Sequence, residues 1–443
     1  MATDSRKLVE GSRCCAIVII GAALVVAVAG AQGSRSAVLA IPGHSNANPS
    51  IAASGRFVAL AWGATVDLGG SDVVSAVSRD GGRTFATPVR VSDAGGQASL
   101  SGEQPPRIAL VPRPGQEPAL VVVWTARAAA GTRLLSARSD DGGRSFSAPA
   151  LVGGSDAPGN RGWEATAVDR TGRVVAVWLD HRELAAGAGM PMNHAEHEAA
   201  SGQPAAGSGS TDGVARAQLS KLFFARVGDA AGARAIAAGV CYCCKTALAT
   251  GPDGSIYVAW RHVYPGNVRD IAFSVSRDGG RTFASPLRVS DDRWVLDGCP
   301  ENGPAIAVDA ARRVHIVWPT LVPGATPGSE PTLALFYATS PDGVQFSPRQ
   351  PVPTQGVPRH PQIALDARGA VTLSWDEAVS GSRRVALARE TTSREGTRQF
   401  TRQAIEAEGQ AAYPVIAGAD AGVVVAWAGS AGAQAVIRAR RAE

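Results

Sequence analysis

The stretch that decides the fold is Ile271 to Val289, IAFSVSRDGGRTFASPLRV. Large and small residues alternate from Ile271, a turn follows at Asp278-Gly279-Gly280, and a second extended run leaves through Pro286. An Asp-Gly-Gly turn between two runs with a period of two predicts a β-hairpin. The aspartate can accept hydrogen bonds from turn amides, and the glycines supply positive φ angles.

The turn octet of this hairpin, Ser276–Phe283, recurs along the chain. Two full copies and one shortened copy lie at Ser78–Phe85, Ser139–Phe146 and Ser340–Phe346. The pattern S-x-D-G-x-x-[TS]-F resembles the Asp-box (BNR) repeat of the sialidase superfamily of β-propellers. The resemblance implies an all-β propeller, whereas Asp boxes are structural and assign no activity by themselves.

A second motif gives the number of blades. An Ile-Ala type strand, a glycine turn and an apolar strand ending in tryptophan recur at roughly fifty- to sixty-residue spacing, with one longer gap. The tryptophans of the seven copies are Trp62, Trp124, Trp178, Trp260, Trp318, Trp375 and Trp427. Four strands per copy predict one seven-bladed propeller, with a six-bladed sialidase-like propeller as the alternative. The last copy lacks a fourth strand, which we expect Ser36–Ile41 to supply.

Composition and the N-terminus define the domains. The chain has 443 residues, 51 glycines and 28 prolines, which fits many turns. The charge of +5 comes from scattered arginines and predicts no nucleic-acid partner.

Residues 1–31 combine basic residues, a short apolar run and an A-x-A site. They predict a signal peptide or an uncleaved N-terminal anchor, which is the one expected membrane contact. The propeller should span 36–443 in an exported protein, periplasmic or extracellular.

The longer gap holds an insertion at 183–218. It is rich in Gly, Ala and Ser and contains a Met/His cluster, MPMNHAEHE, at 190–198. This composition predicts a flexible loop without a core of its own.

Propeller topology predicts where chemistry can lie. Residues just before each innermost strand and just after each second strand should gather around one mouth of the central channel, whereas the octet turns lie on the opposite side. Polar and aromatic residues concentrate at these mouth positions and predict a ligand site. Our ligand-binding candidates are Trp163, His181, His262, Tyr264, Lys245, Glu301, Asn302, His360 and Asp376.

The sialidase resemblance implies an arginine clamp for a carboxylate, an acid/base carboxyl group and a tyrosine nucleophile. The family's Arg-Ile-Pro signature belongs near the first repeat, but this chain has Ser50 there and Arg107 in the second repeat. The mouth could still supply a clamp, an acid and a nucleophile. The catalytic candidates are Glu164, Asp180, Arg182, Arg261, Arg359 and Tyr413.

The cysteines have two interpretations. Cys241, Cys243, Cys244 and Cys299 precede neighbouring innermost strands, so one or two disulfides could join adjacent blades. Alternatively, thiolates with the soft donors of the insertion predict a copper or zinc site. The metal-ligand candidates are Cys241, Cys243, Cys244, Cys299, Met190, Met192, His194 and His197.

The sequence therefore predicts an exported, sialidase-like propeller that binds a glycan or another small ligand at its mouth, with a protein partner as a further expectation. The first alternative is an active exo-glycosidase of the exo-α-sialidase type that hydrolyses terminal acidic sugars. The second alternative is a copper- or zinc-binding envelope protein.

Overall fold

The computed structural model describes residues 36–66, 69–185, 211–229, 232–296, 298, 300–324, 326, 328–392, 398–403, 405, 409–420 and 422–442. These residues form seven four-stranded antiparallel sheets. The predicted signal segment, 1–31, lies outside the described residues. So does most of the insertion, including Met190, Met192, His194 and His197.

Each of the first three complete sheets takes four consecutive strands, numbered from the inside outward. The first sheet holds β2 (Ser45–Ser54), β3 (Phe57–Thr65), β4 (Ser71–Ser78) and β5 (Val89–Arg90). The second holds β6 (Arg107–Val111), β7 (Ala119–Ala128), β8 (Gly131–Ser139) and β9 (Ala150–Leu151). The third holds β10 (Arg161–Val168), β11 (Val174–Asp180), β12 (Lys221–Arg226) and β13 (Arg234–Ala238).

The remaining sheets repeat this order, and the last one uses both ends of the chain. The fourth holds β14 (Ala247–Thr250), β15 (Ile256–Arg261), β16 (Ile271–Ser276) and β17 (Leu287–Arg288). The fifth holds β18 (Ala305–Val308), β19 (Val314–Val322), β20 (Thr332–Ser340) and β21 (Gln350–Pro351). The sixth holds β22 (Val357–Leu365), β23 (Val371–Val379), β24 (Ser382–Thr392) and β25 (Arg398–Gln403). The seventh holds β26 (Ala412–Gly418), β27 (Val423–Ala431), β28 (Gln434–Ala442) and β1 (Ala37–Leu39).

This arrangement confirms the seven-bladed propeller, with each sheet as one blade. The seven repeat tryptophans are all 0–1% exposed and lie in the cores between the blades. The predicted closure is also present, because Val38 of β1 pairs with Arg438 of β28 in an antiparallel ladder. Closure covers the outer edge of β28 with a short strand, so that the seventh blade has four strands like the other six.

Two short helices flank the insertion between β11 and β12. Helix α1 spans Arg182–Ala185 and helix α2 spans Thr211–Leu219. Ala217 of α2 is buried in the core between the third and fourth blades. Within the part of the chain that the structure describes, no helix is long and apolar enough to cross a membrane.

The octet turns connect neighbouring blades. In the first octet, Asp80 accepts hydrogen bonds from the amides of Arg83 (2.9 Å) and Thr84 (3.0 Å) and from the Thr84 hydroxyl group (2.5 Å). In the fourth blade, Gly280 has φ +86°, and a Cβ atom there would lie 2.5 Å from the Phe224 ring of the third blade. Glycine is therefore required by both the backbone and the neighbouring blade.

A buried asparagine joins the closure strand to the rest of the ring. Asn46 is 1% exposed and its Oδ1 accepts from the Ile41 amide (2.8 Å) and the Trp62 indole (2.9 Å). Its Nδ2 donates to the carbonyl oxygens of His44 (2.9 Å) and Ala435 (3.1 Å). One side chain thus connects β1, the first blade and the seventh blade.

We predict that Asn46→Ala lowers the free energy of unfolding by about 2–4 kcal/mol, because it leaves two buried donors without acceptors. Urea denaturation of the purified chain measures this difference. Gln399→Ala, which removes an exposed amide side chain, is the matched control and should change stability by less than about 0.5 kcal/mol. Equal losses in the two variants would contradict the structural role of Asn46.

Candidate functional site

The innermost strands of all seven blades surround one central cavity of about 150 Å³. Ser50, Arg107, Lys245 and Gln362 supply polar groups to its wall. Ser50 Oγ and Arg107 Nη2 are buried and have no hydrogen-bond partner among the described residues. The cavity is smaller than ordinary ligand pockets of about 300–1,000 Å³, so it leaves no room for an oligosaccharide inside the channel.

Strand irregularities shape the mouth. In four blades the innermost strand shifts register, and the shift contains a non-glycine residue with a left-handed backbone. The four residues are Asn48 (φ 58°), Trp163 (φ 53°), His360 (φ 50°) and Tyr413 (φ 51°). Such β-bulges redirect side chains, and backbone strain of this kind clusters at functional sites. Three of the four residues are sequence-predicted site residues.

One set of candidates meets between the sixth and seventh blades. We call Arg359, His360, Asp376, Arg383 and Tyr413 the rim site. His360 Nδ1 lies 2.7 Å from Asp376 Oδ1, and Arg383 Nε lies 2.8 Å from Asp376 Oδ2. The His360 ring lies 4.3 Å from the Tyr413 ring, and the Arg383 guanidinium group 5.4 Å from it.

Arg359 adds a second positive charge to the rim site, beside that of Arg383. Burial first, and then the positive charge of Arg383, lower the pKa of Arg359 below its ordinary value. Glu301, at φ 44° before the fifth blade, is among the groups that raise it. Arg359 and Tyr413 are half-buried, whereas His360 and Asp376 are 4% and 0% exposed. Within the rim site, His360 and Asp376 are therefore buried, and Arg359 and Tyr413 are the more accessible side chains.

A second group surrounds Asp180 in the third blade. Its carboxylate accepts from Arg182 Nε (2.8 Å), Arg182 Nη2 (2.7 Å) and Trp178 Nε1 (3.1 Å), and Arg161 Nε lies 3.3 Å away. Burial opposes ionisation, but these partners hold the pKa of Asp180 below its ordinary value. Burial also lowers the pKa of His181 to about 4, and its ring lies 5.5 Å from Trp163. Asp180 is thus a structural anion.

The channel holds a third group of buried charges. Glu164 is fully buried; its Oε2 accepts from Thr125 Oγ1 at 3.0 Å, and Oε1 has no hydrogen-bond partner among the described residues. Burial raises the pKa of Glu164 to about 7, although the charge of Arg107 opposes this. Lys245 Nζ donates to the carbonyl oxygens of Pro304 (3.0 Å) and Pro361 (2.8 Å), and burial lowers its pKa to about 8.

Arg261 is turned toward the protein. It is 1% exposed and donates to the carbonyl oxygens of Asn302, Arg269 and Pro319 at 2.6–3.0 Å. Its guanidinium group also lies 4.7 Å from the Trp294 ring. These donors are satisfied by backbone oxygens, so Arg261 joins the fourth and fifth blades.

His262 and Tyr264 lie outside the rim site. Their rings are 4.4 Å apart, and the Arg288 guanidinium group lies 3.9 Å from the Tyr264 ring. Burial, and then Arg288, lower the pKa of His262 to about 4. The His262 ring is therefore neutral near pH 7 and packs against Tyr264.

The cysteines form a buried cluster before β14. Cys241 and Cys244 are free thiols, their Sγ atoms are 3.6 Å apart, and they are 0% and 2% exposed. Cys243 Sγ lies 3.9 Å from Cys241 Sγ, and the three sulfur atoms lie within 4.8 Å of one another. Cys299 lies outside the described residues, so a disulfide between blades stays a prediction.

Sequence reasoning missed two arginines at the mouth. Arg383 lies at the start of β24, and Arg269 precedes β16 and donates to Cys241 Sγ at 3.1 Å. Both belong to third strands, whose starts also face the mouth. The sequence-based candidates came from the starts of first strands and the ends of second strands. Including the starts of third strands would have found both arginines.

No protein-family model matches the chain, and no curated protein matches it. Among solved structures, an ulvan lyase of a new polysaccharide lyase family matches with a TM-score of 0.55 and 10% identity, covering 92% of this chain and 96% of that chain. An α-L-arabinofuranosidase from Fusarium graminearum matches with a TM-score of 0.50 and 10% identity, covering 93% and 98%. A Hadza microbial sialidase gives a TM-score of 0.43 and 13% identity, covering 90% and 66%. The likeness to the ulvan lyase and the arabinofuranosidase shows a common fold alone, and membership of the sialidase superfamily stays a prediction.

We predict that the contribution of Glu164 to the free energy of unfolding falls as the pH rises from about 5 to 7, against the opposite contributions of His181 and His262, whose pKa values burial lowers to about 4. Glu164 has a pKa of about 7 in the folded chain and an ordinary value when unfolded, so the folded state binds more protons in this window. The difference corresponds to about 3 kcal/mol. Glu164→Gln should remove this part of the pH dependence in urea titrations at each pH. An unchanged slope in the variant would contradict the assignment.

Proposed function

We propose that this chain is a binding propeller for acidic carbohydrates, that its ligand occupies the rim site, and that it binds without hydrolysis. The observation that carries the proposal is the pairing of Arg359 and Arg383 beside an accessible tyrosine at the mouth. Planar guanidinium groups suit the bidentate recognition of a carboxylate. An aromatic ring offers an apolar face to a sugar.

The charges of the rim site support an anionic ligand. Arg359 and Arg383 repel each other, and this repulsion contributes to the lowered pKa of Arg359. Asp376, a neighbouring negative group, already forms ion pairs with His360 and Arg383. A carboxylate bound across the two arginines would offset their repulsion.

The strained backbone also supports a ligand at this place. His360 and Tyr413 both adopt left-handed backbone conformations that cost of order 1–3 kcal/mol each. The Tyr413 ring packs against the backbone of Gly102, where a Cβ atom would lie 1.9 Å from the ring. The tyrosine is therefore held in a fixed orientation, which lowers the entropic cost of binding.

Hydrolysis is less well supported because the carboxylates near the mouth are occupied. Glycoside hydrolysis uses two carboxyl groups that flank the scissile bond. Asp180 is held by two arginines and Trp178, Asp376 by His360 and Arg383, and Glu164 is fully buried. Glu377 accepts from Arg402 and Trp375.

Structural neighbours add general support. The ulvan lyase, also described with a bound glucuronic acid–sulfated rhamnose unit, and the arabinofuranosidase share the propeller fold and have names that denote action on glycans. Export is part of the proposal, because the N-terminal segment has the pattern of a signal peptide.

We predict that the full chain binds uronate-containing oligosaccharides and not their neutral, carboxyl-reduced counterparts. Arg359→Ala and Arg383→Ala should each weaken binding by about tenfold or more, since a hydrogen bond to a charged group contributes about 1.5–3 kcal/mol. A glycan array selects the ligand, and isothermal titration calorimetry measures its affinity.

Arg281→Ala is the matched control, because Arg281 is an exposed arginine of the octet face. Equal binding of acidic and neutral oligosaccharides, or an equal loss in Arg281→Ala, would contradict the proposal. Release of reducing ends from the bound oligosaccharide would show an enzyme instead of a binding protein.

A further inference from the structure

The cysteine cluster is not used by the rim site and has the geometry of a metal site. Cys241 and Cys244 lie in the connection between the third and fourth blades, and both thiols are free and buried. Their sulfur atoms are 3.6 Å apart. An ion with metal–sulfur bonds of about 2.3 Å holds two thiolates about 3.8 Å apart at a tetrahedral angle and about 4.6 Å apart when the three atoms are in line. An ion bound by these two sulfur atoms alone therefore enters if they separate by up to about 1 Å.

The surroundings favour the ionised form of the first thiol. Arg269 Nη1 donates to Cys241 Sγ at 3.1 Å. The thiolate is the form that binds metals.

The charge balance selects the ion. Two thiolates and one Cu⁺ carry a net charge of −1, which the adjacent Arg269 guanidinium group balances in this buried place. Two thiolates and Zn²⁺ are neutral, and structural zinc is almost always bound by four ligands in a tetrahedron. Soft thiolates select cuprous copper, and Cys241 and Cys244 are the two free thiols among the described cysteines.

We propose that Cys241 and Cys244 form a buried site for cuprous copper. Two copper–sulfur bonds form as the two thiols give up their protons to solvent, and copper enters as Cu⁺ with no change of oxidation state. Arg269 is a positioning residue, because it contacts the Cys241 sulfur rather than the ion. The site is separate from the rim site, and the two proposals stand or fall independently.

The experiment titrates Cu⁺ alone into the full chain, reduced and kept anaerobic, in competition with a chromogenic Cu⁺ chelator. We expect about one tight equivalent per chain, with copper–sulfur scattering in the X-ray absorption spectrum. Cys241→Ser and Cys244→Ser should each weaken binding more than about a hundredfold, since loss of even an outer partner of a metal ligand costs about 10–100-fold. Tyr242→Phe, in the same loop with every thiol retained, should bind like the unmodified protein.

A second measurement does not depend on whether the serine variants fold. Bound Cu⁺ should protect Cys241 and Cys244 of the unmodified chain from alkylation after brief exposure to denaturant, as mapped by mass spectrometry. Failure of the reduced chain to take Cu⁺ from the chelator would overturn the proposal. So would a tight equivalent that leaves both thiols unprotected, or one retained in a folded Cys241→Ser/Cys244→Ser double variant.

Discussion

The pairing of β1 with β28 is the constraint on which the rest of the structure depends. Three residues from the start of the described chain, Ala37 to Leu39, complete the seventh blade. Asn46 then joins this strand to the first and seventh blades. Because the ring is closed, the seven innermost strands surround one channel, and residues far apart in sequence become neighbours at its mouth.

Closure also explains why so many polar residues are buried at the mouth. Arg161, Glu164, Arg261 and Asp376 are at most 2% exposed. Buried charges are tolerated when they are paired or hydrogen-bonded. Arg161 and Arg261 donate to backbone oxygens of a neighbouring blade or of the segment before it, and Asp376 pairs with His360 and Arg383 of its own blade. Glu164 instead keeps a raised pKa of about 7. Much of the polar mouth therefore holds the ring together, and a smaller part, the rim site, remains accessible.

The sequence predicted the fold from two local signals. The octets specify turns through an aspartate and a left-handed glycine such as Gly280. The repeat tryptophans, each at the end of an apolar strand, fill the spaces between blades. Both signals can be recognised from residues that are neighbours in the chain. The face that carries the candidate residues followed from topology. The sequence could not show which of these residues are buried, because burial depends on which blades meet. Arg261 is an example: its position predicts a contact with a substrate carboxylate, but its guanidinium group donates to the carbonyl oxygens of Asn302 and Pro319. Nor could the sequence show that Arg383 and Arg269 approach the mouth from third strands.

The measurement that tests the central claim most directly is a crystal structure of the full chain with a bound uronate oligosaccharide. The account predicts a sugar carboxylate within hydrogen-bond distance of the Arg359 or Arg383 guanidinium group, with the sugar ring against Tyr413 and the channel free of sugar. An ordered sugar on the octet face, or one held by Asp180 and Arg182, would contradict it.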